Sequence, residues 1–303
     1  MRSHTLSPSN STPDSNHVSS AAGAKDKEKK DKDLIGTVVL GNHSIVPWYS
    51  SSYPKKLIGD ACSENGKLYI CEYCFKYTPE IARLQGHQKF CTLSREESPG
   101  TKVYDSGLYS IYEVDGSEHP LFCQNLCLFA KLFLDTKSVC YEVESFLFYT
   151  LVETDQFGVQ RVVGFFSKEK FSWDDYNLAC IIVFPPYQRR GLGKLLISFS
   201  FELSRLDKKL GSPEKPLSDL GKQGYLAYWS TRIAQVIMQT KKESISINEL
   251  SEATCIQPED VRVTLEHMGV MVAGEEGGKP HIRLDIWDKG QVDESFNLNP
   301  EYV

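Results

Sequence analysis

Apolar and polar positions along the chain change period several times, and each change predicts an element. Residues 1–33 carry no apolar period and are expected to form a disordered polar tail. Order is predicted to begin near Leu34, with a short β-type run from Gly36 to Gly41. Val103 to Val114 alternates, which predicts a strand pair turning at Asp115-Gly116. From Leu121 to Phe133, the residues Leu126, Phe129, Ala130 and Phe133 share one helical face. Val143–Glu153 and Val159–Phe166 read as two strands around a turn at Asp155–Gly158. Leu178–Phe184 is continuously apolar and rich in Ile and Val, the pattern of a buried central strand. A long amphipathic helix is predicted from Gly191, with Leu192, Leu195, Leu196, Phe199, Leu203 and Leu206 on one face. It ends before Gly211-Ser212-Pro213.

The last third reads as helices and a hairpin. Leu217–Thr240 is helical, with Tyr228, Ile233, Val236 and Ile237 as core. Ser246-Ile247-Asn248-Glu249 has the spacing of a capping box. Pro258 fits the first turn of the next helix and Gly269 its end. Val270–Ala273 and His281–Ile286 then pair as a hairpin. Two helices followed by a hairpin have the order of a winged helix.

Length sets the scale: 303 residues predict about two domains, or one extended domain with appendages. The formal net charge is −6. Tail removal makes it 28 − 35 = −7, because residues 1–33 hold six Lys and Arg and five Asp and Glu. An acidic body disfavours a generic nucleic-acid coat and suits a basic partner. Within the tail, Lys25–Lys32 alternates sign and reads as a solvated linker sooner than a nuclear signal. The longest apolar run is too short for a membrane span, and no secretory leader is expected from the polar N-terminus. Nine cysteines, several within apolar segments, suit a reducing compartment.

Three of those cysteines and one histidine have metal spacing. Cys71, Cys74, His87 and Cys91 form C-x2-C-x12-H-x3-C. A turn presents the first pair, and a helix face presents the second. Thiolate and imidazole in a tetrahedral set favour zinc, and four protein ligands leave no open position, so the metal is structural. Phe75, Tyr77 and Leu84 are its expected packing residues, while Cys123 and Cys127 read as core. Sequence-specific DNA binding is disfavoured, because the would-be recognition helix carries Glu259, Asp260 and Glu266 against Arg262.

After the apolar strand comes Gln188-Arg189-Arg190-Gly191-Leu192-Gly193-Lys194, then the amphipathic helix. Strand, glycine-containing loop and helix make a cradle for a pyrophosphate, with backbone N–H groups and the positive helix end facing the anion. No Walker pattern is present, and the third glycine of a dinucleotide fingerprint is missing. The loop in this setting fits the coenzyme A loop of N-acetyltransferases. Taken singly, Cys180 reads as a core cysteine and Glu214 as a surface charge; a fold that joins them is needed for chemistry.

The chain resembles the MYST family of histone acetyltransferases. The resemblance is carried by Leu68–Tyr77, Asn125–Asp135, Gly164–Lys170, Tyr176–Ile181, Tyr187–Lys194 and Gly211–Gly221, and covers about residue 45 to the C-terminus. It implies an α+β fold: a GNAT-like acetyl-CoA-binding core over about 100–235, flanked by a C2HC zinc-finger segment at 67–92 and a winged-helix-like segment at 236–303. It implies acetyl transfer from acetyl-CoA to a histone-tail lysine, in the nucleus, within a chromatin-modifying complex of partner subunits. By the same match, Glu214 is the general base and Cys180 the active-site cysteine. Arg189–Gly193, with Gln188 and Lys194, hold the pyrophosphate, and Ser218 makes a further coenzyme A contact. Ile181, Ile182 and Val183 pair with the pantetheine arm, and Lys137 matches an autoacetylated lysine. A polar tail, in place of a chromodomain, resembles the fungal silencing-type members that act on histone H4. The competing expectation is a non-catalytic scaffold or histone-binding subunit with the same fold.

Overall fold

The computed structural model describes residues 35–54, 66–94, 98–135, 141–240, 244–272 and 281–282, with positions 56 and 59 between the first two segments. The predicted polar tail and Lys137 lie outside the described residues.

A small sheet opens the chain. Strands β1 (Thr37–Leu40), β2 (His43–Ile45), β3 (Lys67–Ile70) and β4 (Tyr77–Thr78) are ordered β2-β1-β3-β4, with β1 parallel to β3. Helix α1 (Ile81–Gln88) follows. The main sheet is antiparallel and five-stranded: β5 (Thr101–Asp105), β6 (Tyr109–Asp115), β7 (Phe146–Thr154), β8 (Gln160–Glu169) and β9 (Cys180–Val183), in that order. Helix α2 (Pro120–Lys131) lies between β6 and β7 in sequence. Helix α3 (Leu192–Leu206) follows β9, and α4 (Asp219–Gln239), α5 (Ile247–Thr254) and α6 (Pro258–His267) complete the helical part. A hairpin of β10 (Met271–Val272) and β11 (His281–Ile282) comes last, as its pattern predicted.

Two sequence expectations need correction. The first turn lies at Ser106–Leu108, where the Asp105 carboxylate accepts from the Gly107 N–H at 2.8 Å, and Asp115 ends β6 instead. Asp115-Gly116 mimics a hairpin turn because it leads into a helix. Secondly, β9 is an edge strand and not a central one. Its run is apolar because helices cover both faces of the sheet. On one face Phe148 meets Phe165, Phe165 meets Phe184, and Phe184 meets Phe129 of α2. On the other, Tyr149 stacks on Phe166 at 4.6 Å and both approach Phe199 of α3. Burial on both faces removes alternation whatever the hydrogen-bonding position.

A second core joins α3 to the C-terminal helices. Ile197 and Phe201 pack with Tyr225, Trp229, Ile233, Leu250, Ile256, Val261 and Leu265. The capping box is formed: Ser246 Oγ accepts from the Glu249 N–H, and the Glu249 carboxylate accepts from the Ser246 N–H at 2.8 Å. No described helix is long and apolar enough to cross a membrane.

Candidate active site and metal centre

The metal centre is built by a turn and a helix end. The Cys71 C=O accepts from the Phe75 N–H at 3.0 Å, and the Cys71 N–H donates to Lys76 C=O at 2.8 Å. This closes the turn that presents Cys71 and Cys74, with Phe75 at φ 58°. His87 comes from the last turn of α1, whereas Cys91 lies beyond that helix and not on its face. Ligand atoms of all four lie within 4.8 Å of one another; Cys71 and Cys91 sulfurs are 4.0 Å apart, and Cys74 Sγ is 3.2 Å from His87 Nε2. Zn–S bonds of about 2.3 Å in a tetrahedron put sulfurs ~3.8 Å apart, so the set fits zinc. A hydrogen bond between Cys71 and Cys74 lowers the Cys71 thiol and raises that of Cys74, and burial raises Cys91, so a metal bound by all three thiolates would have to displace protons.

This module is continuous with the rest of the protein. Leu84 packs with Cys71 and Cys91, but Phe75 is fully buried in the main core against Phe122, Phe129 and Phe184. Glu72, next to a ligand, pairs with Arg161 of β8 at 2.8 Å.

The second site forms where β9, α3 and the segment before α4 meet. The start of β9 is bulged: Ala179 N–H donates to Ser167 C=O at 2.7 Å, although Ser167 is paired with Cys180. Bulges re-aim the chain. Immediately before it, Leu178 bridges Pro213 in parallel, the Asn177 N–H donates to Ser212 C=O at 3.0 Å, and the Glu214 N–H donates to Leu178 C=O at 2.8 Å. The Glu214 segment thus lies alongside the approach to Cys180, and Glu214 itself is exposed while Cys180 is half-buried. Gly211 is required here, because a Cβ would sit 2.6 Å from Asn177 Nδ2 and 2.8 Å from Ser204 Oγ.

Beyond the bridge, the edge of β9 is open. Phe184 N–H donates to Val163 C=O, which sets the register. By the alternation of antiparallel ladders, Cys180 and Ile182 turn their backbone groups to β8, and Ile181 and Val183 turn theirs outward. The outward Val183 C=O accepts from Gln188 Nε2 at 2.8 Å. The loop then passes through Arg189 (φ 61°) and Gly191 (φ 78°), the latter being the left-handed N-cap of α3. Leu192, Gly193 and Lys194 form the first turn, and the Gly193 Cβ position faces open space, so a ligand can approach the backbone.

The two loop arginines differ. Arg190 is held by Glu153 and donates to Tyr109 Oη at 2.7 Å, and the Glu153 carboxylate raises its pKa. Arg189 is exposed. Ser218 is the N-cap of α4, its hydroxyl accepting from the Gly221 N–H at 3.1 Å.

Asp260 is not one of the outward acids that the sequence pattern predicts for this helix. It is buried, accepting from Ser212 Oγ at 2.7 Å and pairing with Lys215 Nζ at 2.6 Å. Glu259 and Glu266 remain on the outer face of α6, paired with Arg262. Sequence reasoning missed Asp260 because a polar residue in a first helical turn reads as solvated.

Fold and geometry define an α+β protein with a Cys3His metal module and a strand–loop–helix unit beside an edge of β9 that no described strand covers. The chain belongs to the MOZ/SAS, or MYST, family: a MOZ/SAS family model matches residues 97–297 and a MYST family zinc finger domain matches 33–91. Relatives include a putative MYST-like histone acetyltransferase 1 of Oryza sativa subsp. japonica, 45% identical over 237 residues, covering 78% of this chain and 51% of the relative. Histone acetyltransferase of the MYST family 1 of Arabidopsis thaliana is 46% identical over 234 residues, covering 77% and 51%. A Tip60 homolog histone acetyltransferase of Caenorhabditis elegans is 43% identical over 238 residues, covering 77% and 50%. The chain thus spans about half the length of the curated relatives it matches. A solved aminoglycoside acetyltransferase from an uncultured soil metagenomic sample superposes with a TM-score of 0.28 at 14% identity, over 46% of this chain and 92% of that one.

Proposed function

We propose that the chain transfers the acetyl group of acetyl-CoA to a histone-tail lysine, on histone H4 first among the candidates. The observation that supports this reading is the Leu178–Pro213 bridge, which brings the Glu214 backbone alongside Leu178, two residues before β9, the strand that runs into the 188–194 loop. Membership of the MOZ/SAS family supports the same chemistry.

In this reading the loop from Gln188 to Lys194 and the α3 N-terminus bind the pyrophosphate, with the exposed Arg189 as the available cation. The outward backbone groups of Ile181 and Val183 pair with the pantetheine arm, Ile182 supports the strand from the core, and Ser218 adds a coenzyme A contact. The thioester then lies near Cys180. A lysine amine has a reference pKa of ~10.4, so roughly one in a thousand is neutral at neutral pH. Only the neutral amine attacks, and Glu214 removes its proton directly or through a water. The amine attacks the thioester carbonyl, coenzyme A leaves as the thiolate, and the Ile181 N–H is the outward donor nearest the developing oxyanion. Cys180 shapes the site while both substrates are bound. Zinc at Cys71, Cys74, His87 and Cys91 is structural. Lys137 is the autoacetylated residue, and the setting is a nuclear chromatin complex with partner subunits.

The test is acetyl transfer to full-length histones from labelled acetyl-CoA, with mass spectrometry to locate the lysine. Loss of roughly 10²–10⁴-fold in kcat for Glu214→Gln supports the base. Near-normal turnover of that variant at pH 8 refutes it. Acetyl-CoA binding without turnover, with and without nuclear partners, favours the scaffold reading.

A further inference from the structure

We infer that Asp260, on helix α6, is a positioning residue for the Glu214 segment; this rests on the reading of Glu214 as the base. Three observations carry it. Segment 211–214 is held between two neighbours. On one side it meets Asn177 and Leu178, as described. On the other, Gly211 bridges Ile256 in parallel, the Gly211 N–H donates to Cys255 C=O at 2.7 Å, and the Gln257 N–H donates to Gly211 C=O at 3.1 Å. The α5–α6 turn is therefore the outer rail of the segment that carries Glu214.

Asp260 then fastens that segment from beneath. Its carboxylate is almost wholly buried, its side chain 3% exposed, and each oxygen has one partner: Ser212 Oγ on Oδ2 and Lys215 Nζ on Oδ1. These partners flank Pro213 and Glu214. A buried carboxylate is tolerated when paired and hydrogen-bonded, and removal of one partner leaves a charge that the interior cannot solvate. The pair therefore fixes both ends of a four-residue stretch whose middle is the base.

The ion pair does a second thing. Lys215 is the nearest cation to Glu214 in sequence. A free ammonium beside a carboxylate stabilises the ionised form and weakens it as a base. The buried Asp260 carboxylate pairs with that ammonium at 2.6 Å. The helical C-terminal part of the chain thereby engages both the segment that carries the group and the cation next to it in sequence, without touching substrate.

Asp260→Asn keeps the shape and the Ser212 contact but releases Lys215. The expected result in the full chain is faster amide exchange across 211–216, kcat lower by about tenfold and an acetyl-CoA KM changed less than about twofold. Adding Lys215→Met to Asp260→Asn removes the released cation and is expected to restore most of kcat. A purely structural Asp260 predicts the opposite, since the double variant then stays as impaired as the single one. Ser212→Ala, which deletes one hydroxyl, is the second probe if Asp260→Asn does not fold, and it too is expected to speed exchange across 211–216. Unchanged exchange and unchanged kcat in Asp260→Asn overturn the inference; exchange that is faster and kcat that stays low in both the single and the double variant support the fastening and refute the charge role. If Glu214→Gln keeps full turnover while Asp260→Asn still loosens 211–216, the base assignment fails and the fastening stands.

Discussion

Arg190 donates to the hydroxyl of Tyr109 across 2.7 Å, so one of two adjacent loop arginines is already engaged with the main sheet. Glu153 holds the same guanidinium, and the Tyr109 ring lies 5.9 Å from it. Arg190 therefore braces the loop, and Arg189 is the arginine proposed to meet the pyrophosphate. Arg189→Ala is expected to raise the acetyl-CoA KM roughly tenfold, as befits one charge-assisted hydrogen bond, with little change in melting temperature. Arg190→Ala is expected to lower the melting temperature as well. Steady-state kinetics and thermal melts on both variants check the division; equal effects refute it.

Metal removal is expected to destabilise the whole described body. Chelation of a site with these four ligands takes away binding free energy that is also folding free energy. Cys74→Ser should bind less than one equivalent of zinc and melt well below the parent. Metal analysis and melting curves decide it, and an unchanged melt in the metal-free protein refutes a structural role.

Phe75→Ala is expected to cost about 3–5 kcal/mol, the usual range for a fully buried aromatic. Denaturant unfolding measures this. A cost under about 1 kcal/mol would place the side chain outside a packed core.

Asp115 gives a pH signature. Hydrogen bonds from Lys170 and Ser117 hold its carboxyl at about 2, below the ordinary value. A depressed acid adds stability above its unfolded pKa, and that stability fades as pH falls toward about 2. The pair is solvent-screened, so Asp115→Asn should cost less than about 1 kcal/mol at pH 7. The gap between variant and parent is expected to close between pH about 4 and about 2 in melts against pH; a widening gap refutes it.

On the proposed route, in which both substrates are bound together and the amine attacks the thioester directly, Cys180→Ala is expected to retain a substantial fraction of turnover. Rapid-quench analysis checks this. An acetyl-cysteine trapped at Cys180 on the reaction path refutes it.

Much of the fold could be read in the sequence because its signals were local. The capping box at Ser246, Pro258 in a first turn and Gly269 at φ 68° are each set by neighbours a few residues away. The four zinc ligands were legible through spacing, although Cys91 sits past its helix. Strand order was not legible: helices on both faces erase the alternation that would have marked β9 as an edge. Nor was the link from Asp260 to Ser212, which joins residues 48 positions apart. Arg189 and Arg190 look alike as letters, and only the placement of Glu153 and Tyr109 tells them apart.

Phe75 stands between a zinc ligand and the core, and its neighbour Phe184 closes the strand that leads into the anion loop. The finger is consequently not a detachable bead. Its melting and that of the main sheet are expected to be one cooperative event, with a single calorimetric peak for the metal-loaded chain through this region. On that expectation zinc supply would set how many molecules possess a formed β9 edge. The metal would then act on the proposed chemistry through abundance of the competent fold, at a distance, while taking no part in any bond that is made or broken.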